Sequence, residues 1–316
     1  MAAHLKPVQA LALALAQGPA ELFPVSSSAH TTLIPHLLGW PYEQLEPELR
    51  KSFEVALHAG TGAALALEMR AELVAAARAA GPQRVAMVAL SAAPPAIVGF
   101  ALERFISRSL AQPRRIAAGL AAGSAAMAIA DSRAPRISWR AQGGRSREDL
   151  RAGDAFALGL GQAAALFPGV SRRGATLAVA RARGFARADA DALSWHAALP
   201  VIAGASALRG VRLLRRTRAG IPEGAQAGGA PPGTARLLAI GAAGAFASTL
   251  ASARLIGRAR LAERPLLPYC AYRLLLAAAV ERRARAARGT ARTPHAASRT
   301  RGSRPQEHPA SAVSAQ

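Results

Sequence analysis

Acidic residues are scarce in this chain: 18 Asp and Glu stand against 40 Lys and Arg, a formal net charge of +22 over 316 residues. Aromatics make up 4%, and there is a single cysteine, Cys270. Each shortage excludes something. One cysteine cannot form an intrachain disulfide, and Cys270, inside an apolar run, reads as a packed thiol. Few rings are left to stack on bases, so the basic charge does not make the chain a nucleic-acid binder, and no nucleic-acid partner is expected. Long, strongly hydrophobic runs are also missing. Hydrophobic residues reach 51% at a mean hydropathy of only +0.16, because much of the apolar content is alanine. Such stretches suit helices packed closely on other helices in a membrane. The basic residues, almost all arginine, fall between them, as expected of loops beside anionic headgroups.

Two short apolar pieces, 7–16 and a second ending at Leu38, flank a polar centre that holds Gly18, Pro19, Glu21, Pro24, Ser26, Ser27, Ser28 and His30. Irregular backbone at membrane depth survives only inside protein or beside a wet cavity, so this pattern predicts a re-entrant hairpin. The first piece follows Lys6 with no small-residue cleavage site before the polar motif, and is expected to be retained. Three spans are predicted at 53–69, 85–102 and 116–130, then a basic, solvated loop at 131–151. The opening layout then returns. An apolar piece at 156–167 meets Pro168, Gly169, Ser171, Arg172, Arg173, Gly174 and Thr176, and three more spans follow at 192–208, 237–255 and 266–280. A Gly/Pro-rich loop at 217–234 separates the first two of these. From 281 the chain is Arg, Ala, Ser and Pro without periodicity, which predicts disorder.

The halves share a local echo. Leu22-Phe23-Pro24 and Leu166-Phe167-Pro168 each lead to a serine, and Gln17 and Gln162 precede them. Three spans per half would make the second half enter from the opposite side, an inverted repeat with its broken segments meeting near the midplane. The fold expected is therefore an all-α polytopic membrane protein with six transmembrane helices and two re-entrant helical hairpins. Its membrane domain covers 1–283, with repeat halves at about 5–130 and 153–283, and a basic tail occupies 284–316.

The chemistry follows from which side chains the halves would bring together. A carboxylate at membrane depth is costly to ionise without a partner. Glu21 has hydroxyls and an imidazole within nine residues, a set that can bind a metal, supply a nucleophile and move protons. The second cluster complements it: Arg172 and Arg173 can fork onto phosphate oxygens, and glycines beside a helix start let backbone N–H groups approach an anion. Together these are the parts of a phosphoryl-transfer site, and a divalent cation would fit the carboxylate and a diphosphate.

Residues 17–40 (QGPAELFPVSSSAHTTLIPHLLGW) resemble the first motif of the undecaprenyl-diphosphate phosphatase, or bacitracin-resistance, family. Residues 168–176 (PGVSRRGAT) resemble its second, Pro-Gly-x-Ser-Arg-Ser-x-x-Thr. Shorter likenesses lie at 53–73 (FEVALHAGTGAALALEMRAEL), 193–205 (LSWHAALPVIAGA) and 268–277 (PYCAYRLLLA), so the resemblance covers about 5–283. It implies hydrolysis of undecaprenyl diphosphate to the monophosphate, recycling the carrier lipid for cell-wall synthesis and giving bacitracin resistance. It further implies dependence on Mg or Ca and a multi-pass protein of the bacterial inner membrane whose site faces the periplasm. By position, Glu21 matches the family's essential acid, with Gln17 as its companion at a metal. Ser27 and His30 match the proposed nucleophile and proton partner. Ser171, Arg172 and Thr176 match the diphosphate-binding residues, and Arg173 joins them where the family usually has Ser. Ala29, His58 and His196 also depart from the usual pattern. The attacking group, Ser27 or water, is left open, as is a homodimer. A lipid-phosphate transporter or flippase is the rival reading, since inverted repeats with broken helices also build carriers.

Overall fold

The computed structural model describes residues 4–109, 112–133, 144–218, 233–256 and 264–291. Among these the regular structure is α-helical apart from a short 3₁₀ helix, Arg147–Asp149. The first half holds α1 (Pro7–Leu22), α2 (Ser27–Leu38), α3 (Pro47–Glu68), α4 (Arg70–Arg78), α5 (Pro82–Ser109) and α6 (Pro113–Arg133). The second holds α7 (Ala152–Ala164), α8 (Arg172–Ala182), α9 (Arg187–Arg218), α10 (Thr234–Ile256) and α11 (Leu267–Ala291). The six expected spans fall one each on α3, α5, α6, α9, α10 and α11.

The broken segments break where local chemistry requires it. Pro7 opens α1 at a position where its missing N–H costs nothing. Phe23 precedes Pro24, which disfavours helical backbone, and it is extended at φ −85° and ψ 151°. After the turn α2 runs until Gly39, whose left-handed φ of 70° makes the helix stop. In the second half, Gly169 (φ 94°) turns the chain against α6, and Ser171 caps α8 by accepting from Gly174 N at 3.2 Å. A side chain at Gly169 would collide with the backbone of Ile116 and Leu120.

The contacts pair the two halves. Helix α1 packs on α10 and α7 on α5; α10 packs on α3 and α5 on α9; α2 touches α11 and α8 touches α6. Along the middle, α6 lies against α11 and α3 against α9. Exchanging the halves carries this set of contacts onto itself. Four apolar clusters surround the hairpins, among them Leu22, Leu65, Met69, Trp195 and Ala253 on one side and Ala29, Leu33, Ile116, Leu120 and Val280 on another.

Large apolar side chains lie on the outside, and several polar and charged ones lie inside. Helices α5, through Pro82–Leu102, and α10 are long and apolar enough to cross a bilayer. Val85, Ile97, Phe100, Leu255 and Leu275 point outward, whereas Gln17, Glu21, His30, Asp191 and Arg273 are buried. Outward apolar side chains beside buried charge are what a hydrocarbon surround permits and water disfavours.

Two differences from the sequence reading have local causes. Helix α11 continues to Ala291, into the stretch expected to be a tail, because its Ala- and Arg-rich end favours helix. The basic loop is only partly a solvated link. Arg145 and Arg183 both hold the buried Asp154 at 2.6 Å, tying the start of α7 to the end of α8, and Arg187 holds Asp131 at 2.7 Å. The remaining parts of that loop (134–143), of the Gly/Pro-rich loop (219–232) and of the tail (292–316) lie outside the described residues.

Candidate active site

The two hairpin turns meet at Glu21. This carboxylate, at the buried end of α1, accepts from Ser27 Oγ at 2.6 Å through Oε2 and pairs with Arg172 through Oε1. Ser27 opens α2 and Arg172 opens α8, so the N-termini of two short helices face one carboxylate from opposite halves. The first amide N–H groups of a helix have no intrahelical acceptor, and the helix dipole adds partial positive charge there. An anion entering beside Glu21 therefore meets Arg172 and two such ends.

Both helix starts are strained in the same way. Ser26 has φ 75° and Ser171 φ 67°, the two non-glycine residues with positive φ among the described residues. Left-handed backbone at a residue bearing a Cβ costs about 1–3 kcal/mol and persists where surrounding structure enforces it, commonly at functional sites. The echo seen in sequence is thus an echo in backbone geometry.

His30 lies one turn into α2. Its Nδ1 is 2.8 Å from Ser26 O, and a carbonyl only accepts, so Nδ1 carries a proton. Nε2 is 2.6 Å from Tyr272 Oη of α11, with the two rings nearly parallel, 8° apart in tilt. In the neutral imidazole, Nε2 therefore accepts the Tyr272 proton. Ser28 and Tyr272 are exposed, whereas Glu21 and His30 are buried.

Gln17, one turn before Glu21, is 1% exposed, and neither of its amide atoms finds a partner among the described residues. An orphaned amide oxygen next to a carboxylate is a hard-oxygen pair. Such a pair would suit a hard divalent cation such as Mg or Ca. Among the described residues no group of three or more His, Cys, Asp or Glu could hold a metal.

The model of the bacitracin resistance protein BacA family matches residues 10–279. This chain belongs to the BacA family. Among similar proteins, the undecaprenyl-diphosphatase of Geobacter metallireducens is 38% identical over 232 residues, 70% of this chain and 80% of that one. The undecaprenyl-diphosphatase of Geobacter sulfurreducens is 36% identical over 286 residues, 86% and 96% of the two chains. That of Alcanivorax borkumensis is 33% identical over 283 residues, 86% and 97%.

Within this BacA protein the two motifs converge, but individual side chains take places that sequence did not indicate. Ser27 and His30 are not hydrogen-bonded to each other: Ser27 turns to Glu21 and His30 to Tyr272. Arg173, expected at the diphosphate, points into the protein. It pairs with Asp191 and lies 4.4 Å over the Trp195 ring, because successive helix residues point about 100° apart and Arg172 already faces Glu21. Thr176 is fully buried, with Oγ1 donating to backbone of the preceding turn and lying 2.6 Å from Ser194 Oγ; it fastens α8 to α9. Ser171 Oγ caps α8 and keeps its proton for a further acceptor. Tyr272 and Arg273 of α11 also reach these turns, to His30 and to Pro24 O. The PYCAYRLLLA segment was recognisable, yet no spacing tied it to either motif.

Proposed function

We propose that this BacA-family protein hydrolyses undecaprenyl diphosphate to undecaprenyl monophosphate and phosphate, the reaction that returns the carrier lipid to cell-wall synthesis and underlies bacitracin resistance. The observation that carries it is Glu21 held between the Ser27 hydroxyl and the Arg172 guanidinium, one member from each half. The names of the relatives support the substrate. A lipid-phosphate transporter or flippase would use Arg172 but would have no need of a carboxylate set on a hydroxyl.

In this reading Arg172, Ser171 Oγ and the amides opening α2 and α8 bind the oxygens of the diphosphate and neutralise charge as the terminal P–O bond breaks. Glu21 accepts the proton of the attacking group, Ser27 Oγ or a water in its place; where Ser27 attacks, a water must then cleave the Ser27 phosphate ester to release phosphate. His30, with its proton fixed on Nδ1, presents Nε2 and the Tyr272 hydroxyl as a proton relay. The departing lipid monophosphate is a stable anion and asks for little protonation. A divalent cation, Mg or Ca, held by Glu21 and Gln17, would supply further charge neutralisation to the diphosphate. Arg173 and Thr176 serve by holding α8 against α9.

The membrane arrangement fits six spanning helices, α3, α5, α6, α9, α10 and α11, with α1–α2 and α7–α8 as re-entrant hairpins of an inverted repeat. The protein is then a multi-pass resident of the bacterial inner membrane with its site opening to the periplasm. The test is phosphate release from a prenyl diphosphate by purified protein in detergent, with and without Mg. Release that depends on Glu21 supports the reading, and binding without release would overturn it in favour of a carrier.

A further inference from the structure

We propose that Arg273 is a positioning residue of this site: its guanidinium gathers backbone carbonyls from both hairpin turns and so holds Glu21 and Ser27 in register with Ser171 and Arg172. The inference rests on the phosphatase reading for its catalytic consequence and on geometry alone for the clamp.

Arg273, on α11, is fully buried and is the largest of the fully buried side chains. Nη1 donates to Pro24 O at 2.9 Å, in the first turn. Nη2 donates to Gly169 O at 2.9 Å and Val170 O at 3.1 Å, in the second turn, and lies 3.2 Å from Leu120 O on α6. One planar group thus ties two turns that are more than a hundred residues apart to the same helix. A buried cation is ordinarily matched by a carboxylate. Here the hydrogen-bonded oxygens are all backbone carbonyls, which makes this arginine a sensor of where those two turns lie rather than half of an ion pair.

The slot is built to admit it. A side chain at Gly123 of α6 would collide with Nη2 and come 2.8 Å from Val170 O, and one at Gly174 of α8 would come 3.1 Å from Nη1. Glycine at both places is what lets the guanidinium reach the turns. The carbonyls it holds stand just ahead of the two strained serines, Ser26 and Ser171. A trans peptide sets its N–H opposite its C=O, so fixing Val170 O also fixes the direction of the Ser171 N–H at the start of α8. Lysine could not substitute, because a single ammonium lacks the planar fork that reaches several acceptors at once.

The experiment pairs activity with amide hydrogen exchange on the full-length protein in detergent. For Arg273→Lys we expect kcat to fall about 10²-fold, the cost of misplacing reacting groups by around an ångström, with KM changed far less. Exchange should rise together in peptides covering 23–30 and 167–175 while α3 and α10 keep their protection. Should Arg273→Lys not fold, Gly123→Ala, which crowds the slot without touching the reacting groups, should give the same paired rise. Faster exchange in one turn only, or activity within twofold of the parent, overturns the clamp. So does a loss of activity with neither turn loosened. A parent protein that releases no phosphate, with paired exchange still present in the variant, defeats the phosphatase reading and leaves the clamp standing.

Discussion

Replacing Glu21 with glutamine tests the core of the site, because it keeps the shape and removes only the charge. In the parent, Oε2 takes the Ser27 proton-bearing oxygen at 2.6 Å and Oε1 takes Arg172. The amide can accept from one of them only, and its NH2 group faces the other. Loss of a positioned base costs about 10²–10⁴ in rate, which at 1.36 kcal/mol per decade is about 2.7–5.4 kcal/mol on the barrier. Folding should suffer less. A charge-assisted hydrogen bond contributes about 1.5–3 kcal/mol, and Arg172 can turn its charge to solvent. We therefore expect kcat for phosphate release from a prenyl diphosphate to drop by at least about a hundredfold, with the protein still monodisperse in detergent. Glu21→Asp, which keeps the charge but withdraws it by a methylene, should fall between the two. A Glu21→Gln protein that kept more than about a third of the parent kcat would refute a proton-accepting role, since even the weakest such role is worth about a hundredfold.

Tyr272→Phe removes one hydrogen bond to His30 and keeps the ring; such a bond is worth about 0.5–1.5 kcal/mol, so kcat should fall about 2- to 12-fold at unchanged KM, and an unchanged kcat would reduce Tyr272 to packing. Gly169→Ala should lower the thermal midpoint of the detergent-solubilised protein sharply, because an L-residue at positive φ costs about 1–2 kcal/mol and the new methyl meets α6 backbone, which cannot yield. Arg173→Ser, restoring the residue usual in the family, should lower the thermal midpoint, since breaking a buried pair costs about 3–5 kcal/mol, but leave KM within about threefold. Chelation of divalent cations should abolish phosphate release, and added Mg should restore it; full turnover in chelator would remove Glu21 and Gln17 from any metal role.

The meeting of Glu21 and Arg172 was legible because each motif carries its own local signal, Pro and Gly breaking the helix and a charge stranded between apolar runs. The helix ends at Phe23 and Gly39 follow from the same chemistry. What could not be read was direction. Arg172 and Arg173 are neighbours with equal claim in the sequence, and only the start of α8 decides that one faces the site and the other Asp191. Tyr272 and Arg273 were out of reach for another reason: the first meets His30 across 242 positions and the second meets Pro24 across 249. Nothing in a single sequence records such a pairing. The end of α11 was misjudged because arginine and alanine without a hydrophobic period suggest disorder, although both residues form helix well.

At rest, Arg172 already has its anion. A phosphate group that claims this guanidinium exchanges one charged acceptor for another, and the exchange by itself yields little. On the proposed function, affinity must then come from elsewhere: from the uncapped amides at the two helix starts, from a divalent cation where one is bound, and from the long hydrocarbon chain outside. Free phosphate has only the first of these and should leave readily. A short water-soluble diphosphate lacks the last, so chain length should be felt mainly in KM.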